Sequence, residues 1–150
     1  MIRFFTEDIK FTLSEKTPTR QWLTARAKAE GFSVGELNYI FCSDEYLLQV
    51  NREYLDHDYY TDIITFDNSE DENRLEGDIF ISIDRVRDNA RQLNVPDEQE
   101  LRRVLAHGLL HLCGYGDKTD DEALVMRQKE DESLAEWNYH SLGTPPSHRI

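Results

Sequence analysis

Cysteine is scarce in this 150-residue chain, which carries only Cys42 and Cys113. Two cysteines cannot make a disulfide framework, so the fold must rest on a packed core. Each thiol reads as buried and free. Long apolar runs are missing too. No stretch approaches the ~18 residues of a membrane helix, which excludes a helix of that kind. The opening MIRFFTEDIK carries charges at Arg3, Glu7, Asp8 and Lys10 and has no apolar h-region. The sequence therefore predicts no signal peptide, a cytoplasmic location and no membrane partner. Bases are few, 17 against 30 acids, for a formal net charge of -13. Proteins that grip a phosphate backbone need a basic face. An even spread of this charge argues against nucleic acid, unless the arginines gather on one side.

No internal repeat or linker interrupts the chain, and its length fits one domain. A chain of this size buries roughly 70% of its unfolded surface, enough for a core without staples. Residues 1–13 read as one or two short edge strands. Thr17-Pro18 reads as an N-cap followed by Pro at the first helical position, opening a helix that stops at Gly31. Gly35 to Cys42 alternates as a strand, and Ser43 caps a second helix. Asp62 to Asp67 is β-branched and aromatic, a strand. The polar run 68–76 reads as a loop, 77–83 as a strand and 84–93 as a helix. Pro96-Asp97 opens the next helix, with Asp97 and Glu100 at capping-box spacing, and Gly114 ends it. Thr119 and Glu122 form a second capping box before a last helix to about Tyr139. The expectation is an α/β (α+β) domain over 1–143, with about four strands in a mixed sheet and four or five helices. Residues 144–150 read as a frayed, disordered tail.

Chemistry concentrates in His107-Gly108-Leu109-Leu110-His111-Leu112-Cys113-Gly114-Tyr115-Gly116-Asp117. His107 and His111 stand one helical turn apart on one face, so both imidazoles reach one metal. Gly114 can end the helix in the left-handed conformation and turn the chain back. The turn lets Asp117 approach the same point. Two His and one carboxylate leave a tetrahedral zinc with an open position, the pattern of catalytic sites. The helix is otherwise apolar, so two imidazoles on it need a reason. Cys113 is two positions after His111 and points elsewhere. The spacing has the form of a zincin helix, with Gly108 where the peptidase's general-base Glu would stand. The residues alone reach metal-assisted hydrolysis.

HGLLHLCGYGD resembles the HGxLHLxGYDH signature of the YbeY-type endoribonucleases, small bacterial proteins of ribosomal RNA maturation and ribosome quality control. Asn51 followed by Tyr60-Thr61-Asp62-Ile63-Ile64-Thr65-Phe66 is similar to the family's N…PTDVLSF stretch. Gly77-Asp78-Ile79 resembles its GDI strand, and Met126 with Glu130 its closing M-x3-E. The resemblance implies a zinc-dependent single-strand endoribonuclease of rRNA maturation at the 16S 3′ end, with one zinc per chain. It implies ribosomal RNA and the small ribosomal subunit or its proteins as partners. It places the metal on His107, His111 and Asp117, and catalysis on His107, His111 and an arginine.

Departures from the pattern matter for the site. The family's third His falls on Asp117, its preceding Asp on Gly116, and its Pro before Thr-Asp on Tyr60. The family's Arg after Asn-x-x-aromatic is Leu55, and Arg52, one turn earlier on the same face, is the candidate to replace it. Arg85, Arg87 and Arg91 read as a polar helix face or an RNA-facing patch. His57 reads as solvated, and His140 and His148 lie near the tail, away from the site. Two other classes stay open: a zinc-stabilised assembly factor without nuclease activity, and a metallopeptidase-like hydrolase, disfavoured by Gly108.

Overall fold

Alternating strands and helices wind the first half of the chain onto one sheet. The structure is a computed structural model and describes residues 1–142. In order these are β1 (Ile2–Thr6), α1 (Lys16–Ala29), β2 (Ser33–Cys42), α2 (Asp44–Leu55), β3 (Ile63–Asp67) and β4 (Arg74–Ser82). Three helices follow: α3 (Ile83–Leu93), α4 (Asp97–Leu112) and α5 (Asp120–Leu142). The tail expected over 144–150 lies outside the described residues, as does His148.

The sheet has the order β1-β2-β4-β3. β1, β2 and β4 run parallel, and β3 closes one edge antiparallel to β4. The mixed α+β reading therefore holds, with four strands and five helices among the described residues. Inward positions of β2 and β4 (Leu37, Tyr39, Phe41, Ile79, Ile81) form the main core with Trp22 and Leu23 of α1 and Leu101, Leu105 and Leu109 of α4. The opposite sheet face is covered by α2, where Leu47 and Val50 meet Cys42 and Ile64. Helix α4 also packs on α3 and α5, so it is apolar over most of its circumference. Gly108 lies where α4 meets the sheet. A Cβ there would stand 3.0 Å from both Ile63 Cδ1 and Ile79 Cγ2, tighter than ordinary packing, so glycine lets the helix lie this close to the sheet without displacing either side chain.

Several local details differ from the sequence reading. Helix α1 starts at Lys16, with Glu15 in the left-handed region at φ 55° and no side-chain cap. Thr17 is thus inside the helix, and Pro18 occupies its third position, where an intrahelical N–H partner is missing anyway. Strand β4 starts at Arg74, inside the run expected to be loop. Pairing Ser33 with Arg74 and Val34 with Leu75 extends it, and Leu75 is buried at 2% exposure. Tertiary pairing overrode local polarity there. Helix α4 has Pro96 as its N-cap and no side-chain cap bond. Glu100 does not return to cap the helix; it is buried and bound to Arg103. Elsewhere Ser43 caps α2 through Tyr46 N, and Thr119 and Glu122 exchange both capping-box bonds at 3.1 Å.

Candidate metal centre

The period of α4 places Arg103, His107 and His111 on one face, each a turn from the next. Helix α4 ends where Gly114 takes φ 106°, with Tyr115 N bonded to Leu110 O and Gly114 N to His111 O. These bonds satisfy carbonyls the helix would otherwise leave open and fold the chain back. The returning loop is clasped to α1 and α5. Tyr115 Oη donates to Glu30 at 2.5 Å, and Lys129 Nζ donates to the same carboxylate at 3.1 Å. Burial opposes ionisation of Glu30, but these two bonds outweigh it and hold its carboxyl below the usual range.

So delivered, Asp117 Oδ2 lies 3.4 Å from His107 Nε2 and 3.4 Å from His111 Nε2. The two imidazoles are nearly perpendicular, at 84°, with ring centroids 4.8 Å apart. All three donor atoms fall within 4.8 Å of one another. Tetrahedral ligands on zinc at ~2.0–2.1 Å stand about 3.3–3.4 Å apart. The spacing to Asp117 fits that geometry, and the group can hold a metal ion.

Behind the donors lies a buried polar chain. His107 Nδ1 is 2.7 Å from Glu130 Oε2, which fixes the ring and leaves Nε2 for a metal. Arg103 Nη1 donates to the other Glu130 oxygen at 3.0 Å. Arg103 also grips Glu100 through Nε and Nη2. Burial opposes ionisation of Glu130, but the bonds from His107 and Arg103 prevail and hold its carboxyl below the ordinary range. The donors open on a cleft of about 320 Å³ walled by Thr61, Asp62, Ile63, Thr65, Arg103 and Val104.

The structure brings His107, His111 and Asp117 together, as the sequence reading expects. It sets Arg52 apart: its Nε is bound to Asp58 Oδ1 at 2.5 Å, half exposed, and it does not line that cleft. Arg85 is tied to Asp44 at 2.8 Å and Arg91 to Asp88 at 3.2 Å, both on α3 and outside the cleft wall. The Cys113 thiol is no member of the donor group, and burial pushes it up to about 12. Cys42 is buried and likewise raised to about 12. Arg103 went unread in the sequence. Its signal was the same one-turn spacing that marked the histidines.

Comparison with known proteins matches residues 2–138 to the family model described as Endoribonuclease YbeY. The chain belongs to the YbeY endoribonuclease family. Relatives named Endoribonuclease YbeY include that of Cytophaga hutchinsonii, 63% identical over 89% of this chain and 94% of its own length. That of Flavobacterium johnsoniae is 52% identical over 87% of this chain and 94% of its own. The solution structure of TM1509 from Thermotoga maritima is similar at 27% identity, covering 100% of this chain and 97% of that one with a TM-score of 0.67. Among the described residues no helix is long and apolar enough to cross a membrane.

Proposed function

We propose that this YbeY-family chain is a zinc-dependent endoribonuclease that cuts single strands in rRNA maturation, at the 16S 3′ end, and in ribosome quality control. Its partners on this reading are ribosomal RNA and the small ribosomal subunit or its proteins, in the cytoplasm. Residues 1–143 act as one hydrolase domain. The observation that carries the proposal is the convergence of His107, His111 and Asp117 at a cleft, in a chain whose family is an endoribonuclease family. A zinc ion held by these three would supply Lewis acidity toward a phosphoryl oxygen and a nucleophile at neutral pH. Glu130 orients His107, Arg103 neutralises Glu130, and the Gly114 turn aims Asp117. Gly108 packs against Ile63 and Ile79, so the position that bears a peptidase's base has no side chain to act in the cleft. Cleavage of a single-stranded RNA by the purified protein, abolished by a chelator and restored by zinc, tests the reading. Binding without cleavage would favour the assembly factor instead.

Asp117 is the third ligand on this reading. Asp117→Ala should weaken metal affinity at least ~10-fold, since even outer-shell losses cost that much. Asp117→His should retain it, because imidazole suits zinc. Competition against a chromogenic chelator reads both, and an unchanged Asp117→Ala would remove Asp117 from the site. Arg52, half exposed and outside the cleft wall, is proposed to contact the RNA backbone at the approach to it. Arg52→Ala should lower the slope of log K against log salt by about one unit and leave metal content unchanged. An unaltered slope would exclude a phosphate contact.

A further inference from the structure

The segment from His57 to Tyr60 runs into the cleft wall at Thr61 and Asp62, and it carries two tyrosines that the fold leaves largely in water. Tyr59 is 56% and Tyr60 48% exposed. Their setting is built rather than loose. Buried Asn51 donates from Nδ2 to Tyr59 O at 2.9 Å, and its own carbonyl accepts His57 N at 3.1 Å. Helix α2 therefore grips this segment at two points. The Tyr59 ring stacks on His57 at 5.1 Å and 22° between planes, and the two side chains share a 3.0 Å hydrogen bond. Tyr60 Oη donates to Glu45 at 2.5 Å, and the Arg85 guanidinium lies 5.7 Å from the ring centroid. Each ring is held at its tip and supported from one side, with much of its surface open.

We propose that Tyr59 and Tyr60 form a stacking platform for unpaired bases of single-stranded RNA at the mouth of the metal cleft. The inference rests on the endoribonuclease reading and adds the recognition site that reading lacks. Charge makes stacking the suitable means. The chain carries a net -13, and each of the two cations beside the platform shares its charge with a carboxylate, Arg52 with Asp58 and Arg85 with Asp44, so a phosphate contact at Arg52 adds little affinity by itself. Electrostatic capture of a polyanion is weak there. A π-face attracts any base without needing charge. It also discriminates strands, because a base in a duplex is already stacked on its neighbours while an unpaired base is free to splay onto a ring. Tyr60 directly precedes Thr61, so a base held on it places the adjoining backbone beside the cleft wall.

The test is equilibrium binding of the metal-loaded protein to a labelled octauridylate with cleavage-resistant phosphorothioate links, beside an octamer of the same backbone without bases. Tyr59→Ala and Tyr60→Ala should each weaken binding of the base-bearing octamer roughly tenfold. Tyr60→Phe, which keeps the ring, should bind as wild type. The salt slope should stay unchanged in all of them, since no phosphate contact is lost. The baseless octamer should bind wild type and variants with the same low affinity. A Tyr59→Ala/Tyr60→Ala double variant that binds the base-bearing octamer like wild type overturns the platform, as does an equal loss on the baseless octamer. Cleavage of unmodified RNA separates the two readings. A wild type that cleaves, with tyrosines that make no difference to binding, leaves the nuclease standing and removes the platform. A wild type that never cleaves with metal loaded, yet binds through the tyrosines, does the reverse.

Discussion

Replacing His107 or His111 by Ala should empty the metal site and lower RNA cleavage by about 10³-fold. That figure follows from the several kcal/mol a metal contributes to charge stabilisation in the transition state, at 1.36 kcal/mol per factor of ten. Each variant removes one of three donors, leaving an imidazole and a carboxylate. The two variants should then differ in stability. His107 also holds Glu130 at 2.7 Å, whereas His111 faces Asp117 and the cleft. In chelator-treated protein, His107→Ala should therefore melt below wild type, because buried Glu130 loses a partner. His111→Ala should melt close to metal-free wild type. Metal analysis, cleavage rate and calorimetry on the same preparations read all three effects. Equal metal content and equal rates in wild type and both variants would refute the assignment.

Glu130→Ala should be the most destabilising single change around the site. Glu130 is 2% exposed and joins Arg103 to His107. Removing one partner of a buried ion pair costs about 3–5 kcal/mol, because the other charge stays buried without compensation. Glu100 still holds Arg103, which places the expected loss at the lower end, about 3 kcal/mol. Metal affinity should fall by about 10–100-fold as His107 loses its orienting carboxylate. Glu130→Gln should lose less of both, since its amide oxygen still accepts one bond. The pH dependence has a definite sign. The native Glu130 carboxyl is held below its ordinary 4.5, burial opposing and the His107 and Arg103 bonds prevailing. Its contribution to stability is therefore complete above that ordinary value and is lost as pH falls through the lower native one. Metal-free wild type and Glu130→Gln should thus differ most near neutrality and converge in acid. A constant gap down the acid limb would show that Glu130 is not ionised in the native protein.

Much of this site could be read from residue spacing because its donors are close in sequence. His107 and His111 share a helix face by the 3.6-residue period alone, and Gly114 marks the turn that returns Asp117. The capping residues Ser43 and Thr119 were equally legible, since a cap is a bond to a backbone N–H two or three positions on. Glu130 stood in the family resemblance, but its contact with His107 spans 23 residues and depends on how α5 lies on α4. Arg103 shows the converse. It carried the right period, yet an arginine on a helix reads first as a solvated residue, and only burial between Glu100 and Glu130 shows its role.

The misread elements have the same cause. The run at Arg74 is polar by composition, and it becomes strand because β2, distant in sequence, offers Ser33 and Val34 as ladder partners. Glu100 stood at capping-box spacing, but buried as it is, it pairs with Arg103 instead of returning to the helix N-terminus. By itself the sequence determined which helix carries the chemistry, which three side chains can meet at a metal, and that the sheet is mixed with helices. Those follow from short-range periodicity, turn residues and family motifs. Tertiary structure alone decided the strand order, the Glu130–Arg103 support behind His107, the position of Arg52 outside the cleft wall, and the hold of α2 on Tyr59 and Tyr60. Each of these depends on the relative placement of elements distant in the chain, where packing geometry rather than local spacing sets which groups touch.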